Sequence, residues 1–145
     1  STDGQQKDTL RNVQATGEFV VNIVAESLAQ AMNTSSTEFP HAVNEFEAAG
    51  LTAAPSVRVR PPRVAESPVN FECRLLQIVP VGQGPGSGHV VIGEVVYLHV
   101  SDEVLFGGDK ISLEKLRPIG RLGGHWYTRV TDVFEIVRPP SQVKK

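Results

Sequence analysis

The sequence predicts a mainly β domain with helical additions, built as an antiparallel barrel, and three observations carry that reading. Two long apolar, β-branched stretches, Val69 to Val79 and His89 to Val100, flank a Gly/Pro-rich loop and read as paired strands. Helical spacing is confined to short pieces near Asp8, Ser27, Val43 and Leu113. One long stretch, 33–60, belongs to neither pattern and departs from the barrel as an excursion.

Taken in order, Asp8 to Thr16 reads as a helix. Asp8 stands at the N-cap, Leu10 and Val13 form an apolar i, i+3 pair, and Gly17 supplies the stop. Glu18 to Val24 is aromatic and β-branched, a short buried strand. Ser27 opens a second helix carrying Leu28, Ala31 and Met32. Residues 33–60 hold turn formers and one amphipathic turn around Val43, Phe46 and Ala49, the pattern of a cover loop with a small helix. Pro61-Pro62-Arg63 marks a corner, and the two long strands follow, the second bending at Gly93. A helical turn at Leu113 to Leu116 leads into the Gly-rich stretch 119–129. Thr128 to Val137 alternates as a last strand before Pro139-Pro140.

Bulk properties narrow the function classes. The 145 residues make one domain, and 40% hydrophobic with 21% charged residues describe a globular chain. A net charge of −2 with no basic stripe disfavours binding to nucleic acid. No apolar run approaches the ~18 residues of a membrane span. A single cysteine, Cys73, makes no internal disulfide, so the expected compartment is the cytoplasm. The histidines His41, His89, His99 and His125 lack metal-ligand spacing, no serine sits in a nucleophile elbow, and Cys73 lies in a strand pattern as a buried thiol. His89 and His99 stand near the ends of one strand, where structural or surface roles are usual. The run Gly82 to Gly86 lies between strands and contains Pro85, so it is not a dinucleotide fingerprint.

Three segments carry candidate chemistry. At Gly4 to Asn12 a Gly-led loop delivers Lys7 to a helix start with Asp8 and Thr9, where free N–H groups and the helix dipole favour an anion. The same residues also describe an ordinary capped helix with a solvated lysine. At Gly120 to Tyr127 the glycines let backbone approach a ligand, Arg121 offers a bidentate anion contact, His125 a titratable ring, and Trp126 and Tyr127 flat surfaces. A tight turn with Trp126 in the core explains that stretch equally. At Arg63 to Pro68, Glu66 pairs with Arg63 or caps a turn, the ion pair being the expectation.

Four blocks, KDTLRNVQATGEFVVNIV (Lys7 to Val24), PPRVAESPVNFECRL (Pro61 to Leu75), HVVIGEVVYLHV (His89 to Val100) and RPIGRLGGHWYTR (Arg117 to Arg129), together resemble the flavin-reductase-like, FMN-binding split-barrel family. The resemblance runs from about Lys7 to Tyr127. It implies a split β-barrel acting as a homodimer, with FMN, or FAD in its place, in a groove between subunits and NAD(P)H as co-substrate. Lys7 and Thr9 would contact the flavin phosphate, Asp8 would organise that loop, and Ser1 and Thr2 would lie beside the same phosphate. Arg121, Gly123, Gly124, His125 and Tyr127 would border the flavin or nicotinamide, and an oxygenase partner belongs to the same expectation. The family's opening strands, with an RPIGW-ST-x-N-x-APYSFFN-like stretch, have no counterpart here. The chain is therefore expected to form the C-terminal greater part of the domain, incomplete at its N-terminus. The implied activity is NAD(P)H-dependent hydride transfer to flavin; the alternative is a non-catalytic FMN-binding or electron-carrying protein, or a structural split barrel.

Overall fold

The structure, a computed structural model, describes residues 6–40, 42–84 and 86–143. The expectations for Ser1, Thr2 and His41 lie outside the described residues. Helix α1 (Asp8–Thr16) leads into strand β1 (Glu18–Asn22), a 3-10 turn (Glu26–Leu28) and helix α2 (Ala29–Ser35). A one-turn helix α3 (Glu45–Ala48) and a ribbon of β2 (Ala53–Ala54) with β3 (Arg63–Val64) precede the long strands β4 (Val69–Val81) and β5 (Gly88–Val100). A 3-10 turn (Asp102–Val104), the pair β6 (Leu105–Phe106) and β7 (Lys110–Ile111), helix α4 (Leu113–Leu116), and the hairpin of β8 (Ile119–Arg121) and β9 (Tyr127–Arg129) complete it.

The organising unit is an antiparallel sheet in the order β1-β4-β5. Its central strand places Val69, Asn70, Glu72 and Cys73 in the interior. Register shifts between Glu72 and Cys73 and between Leu75 and Gln77 interrupt the β4–β5 ladder, and bulges of this kind increase local twist. Gly93 sits in the same stretch, opposite Leu75, for a steric reason. A Cβ there would lie 2.5 Å from Phe19 Cζ and 3.1 Å from the Arg74 carbonyl oxygen, so only glycine admits the Phe19 ring against β5. Val69, Val104 and Leu116 form the buried centre, with Ile23, Phe71 and Val100 packed on it. Full burial of one such side chain contributes about 1.5–3 kcal/mol.

Most sequence expectations hold locally, and the exceptions have identifiable causes. Gly17 ends α1 in the left-handed conformation, φ 68°, its N–H donating to the Val13 carbonyl at 2.9 Å. Asp8 is the first helical residue rather than the cap: Lys7 occupies the cap position without a side-chain bond, and the Asp8 carboxylate pairs with Arg11. The helix expected from Ser27 starts as a 3-10 turn and becomes α-helical at Ala29. The last strand, expected over Thr128 to Val137, stops at Arg129. Beyond it the chain has no ladder partner among the described residues and leaves Phe134, Ile136 and Val137 each more than three-quarters exposed. Alternation without a partner does not make a strand.

The end of the 33–60 excursion is anchored to the sheet by side chains. Asn44 caps α3, accepting from the Phe46 N–H at 3.1 Å. Both Glu66 oxygens accept from the Thr52 N–H, at 3.0 and 3.1 Å, and the Thr52 side chain first, then this N–H, lower the pKa of that carboxyl. Glu66 thus holds a backbone turn, and the expected Arg63–Glu66 ion pair does not form. The Arg60 guanidinium and N–H both donate to Glu18.

Candidate functional site

The β8–β9 hairpin is pinned to the junction of β1 and α2. The Ile119 N–H donates to the Val24 carbonyl at 3.2 Å, the Glu26 N–H to the Arg117 carbonyl at 2.9 Å, and Ala25 bridges to Pro118. Side chains reinforce this, since Glu26 accepts from Arg117 Nη2 at 2.6 Å and from Arg129 Nε. Those two hydrogen bonds, Arg129 first, hold the Glu26 carboxyl below the usual glutamate range. The carboxylate is therefore committed to two guanidinium groups.

Between hairpin and helix lies a cavity of about 390 Å³, lined chiefly by Glu26, Gln30 and Met32 on one side and Arg121, His125 and Tyr127 on the other. That volume lies within the ~300–1,000 Å³ of small-molecule sites. Arg121 and Tyr127 face each other across the hairpin register. The Arg121 guanidinium donates to the Tyr127 hydroxyl and to the Gly124 carbonyl at 2.5 Å, and its Cζ lies 4.8 Å from the Tyr127 ring centroid. Gly124 takes φ 62°, which lets its carbonyl turn back toward Arg121. The result is a pre-oriented cation on an aromatic plate, with Met32 Sδ 3.8 Å from the tyrosine hydroxyl. Trp126 is 75% exposed, so its placement in the core is excluded.

The structure therefore gathers Arg121, His125 and Tyr127, with Gly124 orienting the arginine and Gly123 in the connecting loop. Lys7, Asp8 and Thr9 do not line this cavity. They sit at the start of α1, where Lys7 and Thr9 are exposed and the cap position carries no side-chain hydrogen bond. The Lys7 ammonium and the Thr9 hydroxyl at the start of a nine-residue helix are groups whose chemistry suits an anion such as a phosphate.

Sequence reasoning missed Glu72. This side chain is wholly buried, and its carboxylate accepts from the N–H groups of Val57 (2.7 Å), Arg58 (2.6 Å) and Val59 (3.2 Å) and from His99 Nε2 (2.6 Å). Burial pushes the carboxyl pKa up, but His99 and the three backbone donors outweigh it and hold the value at about 2. An ionised carboxylate only accepts, so His99 carries its proton on Nε2. No periodicity marks such a residue, because three of its four partners are main-chain amides and the fourth, His99, stands on another strand. Cys73, next to it, is 3% exposed, and burial raises its thiol pKa, the state of an inert structural cysteine.

A bulged antiparallel sheet with peripheral helices, and a cation-bearing cavity on a Gly-rich hairpin, place the chain among mainly β proteins with helical additions. The chain belongs to the flavin-reductase-like family: the flavin reductase like domain matches residues 4–111. A relative from Aquifex aeolicus is 46% identical over 127 residues, covering 88% of this chain and 63% of its own length. One from Halalkalibacterium halodurans is 42% identical over 139 residues, covering 94% and 66%. The chain thus spans about two thirds of the length of these relatives.

Among solved structures, nitrilotriacetate monooxygenase component B from Bacillus cereus is 37% identical with a TM-score of 0.84, covering 92% of this chain and 66% of that one. The 2-nitrobenzoate 2-nitroreductase of Pseudomonas fluorescens is 32% identical with a TM-score of 0.78, over 93% and 68%. A split-barrel-domain protein from Shewanella frigidimarina, 24% identical with a TM-score of 0.79 over 90% and 65%, shares the fold. The architecture is mainly β with helices, of the flavin-reductase-like split-barrel type. Among the described residues, no helix is long and apolar enough to cross a membrane.

Proposed function

We propose that this chain supplies much of the flavin site of an NAD(P)H-dependent flavin oxidoreductase. The observation that carries the proposal is the pairing of an anion-ready helix start with a cation-on-aromatic cavity in a chain of this family. FMN, or FAD in its place, is the cofactor, and when bound it supplies hydride transfer from reduced nicotinamide. The protein's own residues bind and orient. Lys7, Thr9 and the helix start hold the phosphate, and Asp8, paired with Arg11 within α1, organises that helix start. Arg121, held by Tyr127 and the Gly124 carbonyl, presents its charge to the flavin or nicotinamide side, bordered by Gly123 and His125. The 33–60 excursion covers the site.

The working unit is a homodimer, supported by the apolar side chains of the 130–143 segment and the exposed Val90, Ile92 and Val95 of β5. The likeness to nitrilotriacetate monooxygenase component B supports an oxygenase as the partner of this chain, and the cytoplasm is the expected location.

The test uses full-length protein with FMN and NAD(P)H. Bound flavin should appear in the absorption spectrum and bleach anaerobically on adding NAD(P)H. Bound flavin that no nicotinamide reduces would indicate an electron carrier or FMN-holding module instead. Protein that stays colourless with FMN overturns the reading. Replacing Lys7 by Ala should weaken FMN by ~1.5–3 kcal/mol, the cost of a charge-assisted hydrogen bond; unchanged affinity removes Lys7 from the site.

A further inference from the structure

The hairpin cavity carries more positive charge than the flavin assignment uses. Pairing of Ile119 with Arg129 and of Arg121 with Tyr127 puts these four side chains on one face of the β8–β9 hairpin. All four line the cavity, opposite Glu26 and Met32. Arg121 and Arg129 are diagonal neighbours in that register, about 7–8 Å apart at the backbone.

Three guanidinium groups share a single carboxylate here. Glu26 is the one acid among the described lining residues, and its two oxygens are taken by Arg117 and Arg129. Arg121 has no acidic partner among the described residues, since its bonds go to the Tyr127 hydroxyl and the Gly124 carbonyl. Arg117, Arg121 and Arg129 set against Glu26 leave two positive charges in excess. The flavin phosphate proposed for Lys7 does not answer them, because Lys7 does not line this cavity.

The donors are within reach of a ligand. A guanidinium has five N–H groups; Arg129 commits only Nε–H, and Arg121 one from each terminal nitrogen. The Arg129 side chain is 68% exposed, and an ion pair as open as its pair with Glu26 is held weakly. Its terminal nitrogens are therefore available to a guest, while Arg121, also exposed, is already oriented by Tyr127 and Gly124. Ala29, Met32 and Ile119 give the cavity an apolar wall.

That combination selects a ligand class. A bare inorganic ion meets the charge but leaves the apolar wall wet. A neutral ring covers the wall but gives the guanidinium forks no acceptor. An organic acid does both, because carboxylate and phosphate oxygens match the planar fork. Arginines on a flat surface are ordinarily just solvated, whereas these two face a recess whose walls focus their field. We infer that the hairpin cavity binds a small organic oxyanion, a carboxylate or a phosphate monoester, between Arg121 and Arg129, as a ligand separate from the flavin. This deepens the proposed flavin site by giving it an anionic second ligand, and it rests on that reading for the ligand's neighbour but not for its binding.

The probes are benzoate for the carboxylate, phenyl phosphate for the monoester, benzamide as the neutral isostere of benzoate, and inorganic phosphate. Each is titrated by calorimetry into full-length protein, first without FMN and then with FMN saturating. Saturable binding of benzoate, phenyl phosphate or both is expected, about tenfold or more tighter than benzamide or inorganic phosphate, with FMN retained. The tighter of the two acids identifies the source chemistry. Arg129→Gln should weaken that acid about tenfold. Arg121→Lys keeps the charge and the Glu26 anchor but loses the planar fork, and should weaken it by a similar factor. Benzamide binding as tightly as benzoate, or the absence of saturable binding, overturns the inference. Inorganic phosphate binding as tightly as either acid would mean an adventitious ion only, and an Arg121→Lys variant that binds unchanged would remove the fork; both outcomes overturn it too. So does release of FMN by either acid, which would make the cavity the flavin's own seat. Protein that stays colourless with FMN yet binds an organic acid ends the flavin reading alone.

Discussion

Replacing Glu72 by Gln tests how the sheet holds the end of the excursion. Glutamine preserves the shape but offers one acceptor oxygen, and its NH₂ must face either Val57 N–H with His99 or the N–H groups of Arg58 and Val59. In the better orientation His99 switches tautomer and accepts, leaving only the Val57 N–H orphaned, at about 1–3 kcal/mol. The bonds to Arg58 and Val59 lose their charge assistance, about 1 kcal/mol each. The total is about 3–5 kcal/mol, equal to the usual cost of breaking a buried pair. For a chain of this size that is a fall in Tm of about 10–15 °C. The pH dependence has a definite sign. A folded-state pKa depressed to about 2 gives stability that is complete above the ordinary glutamate pKa and lost as pH falls from about 4.5 through about 2. The variant should lack that part of the acid slope. Urea unfolding at pH 7 and at several points down to pH 3, with hydrogen exchange at amides 57–59, measures both effects. A loss below about 1 kcal/mol, or an unchanged acid slope, would refute the account.

Other outcomes rest on the same structure. Gly93→Ala should cost about 1–3 kcal/mol in urea unfolding, because the new Cβ collides with the Phe19 ring. Cys73 should react with a thiol reagent far more slowly in the native protein than in denaturant; equal rates would contradict its burial. Tyr127→Phe removes the hydroxyl that holds Arg121, and FMN affinity of the full-length protein should fall by about 0.5–1.5 kcal/mol while the melting temperature barely moves.

Much of this architecture was legible in the chain. Gly17, the β-branched run of β1 and the paired apolar stretches of β4 and β5 announce themselves, because local chemistry and tertiary role agree there. The Gly-rich hairpin was legible as a candidate site, since loops with spare conformational freedom beside Arg and Tyr suit both turns and ligands. Glu72 was not legible: a lone acid in a strand looks like a solvated face, and its partners are backbone groups and one histidine, all over ten residues away. Arg63 and Glu66 were misread for a related reason, as short spacing suggested a pair while the turn sent Glu66 to Thr52. The 130–137 stretch has strand chemistry throughout but no partner among the described residues, and pairing is not a property of one segment.

The contact between Gly93 and the Phe19 ring carries a consequence for how this chain diversifies. The two positions lie on the strands either side of β4 and far apart in sequence, yet one side chain occupies the room the other would need. Lineages that keep the ring should keep glycine, and a lineage that acquires a side chain at 93 should already carry a smaller residue at 19. The order of those two substitutions is thereby constrained, with the strand tolerant of change at 93 only after the ring has gone.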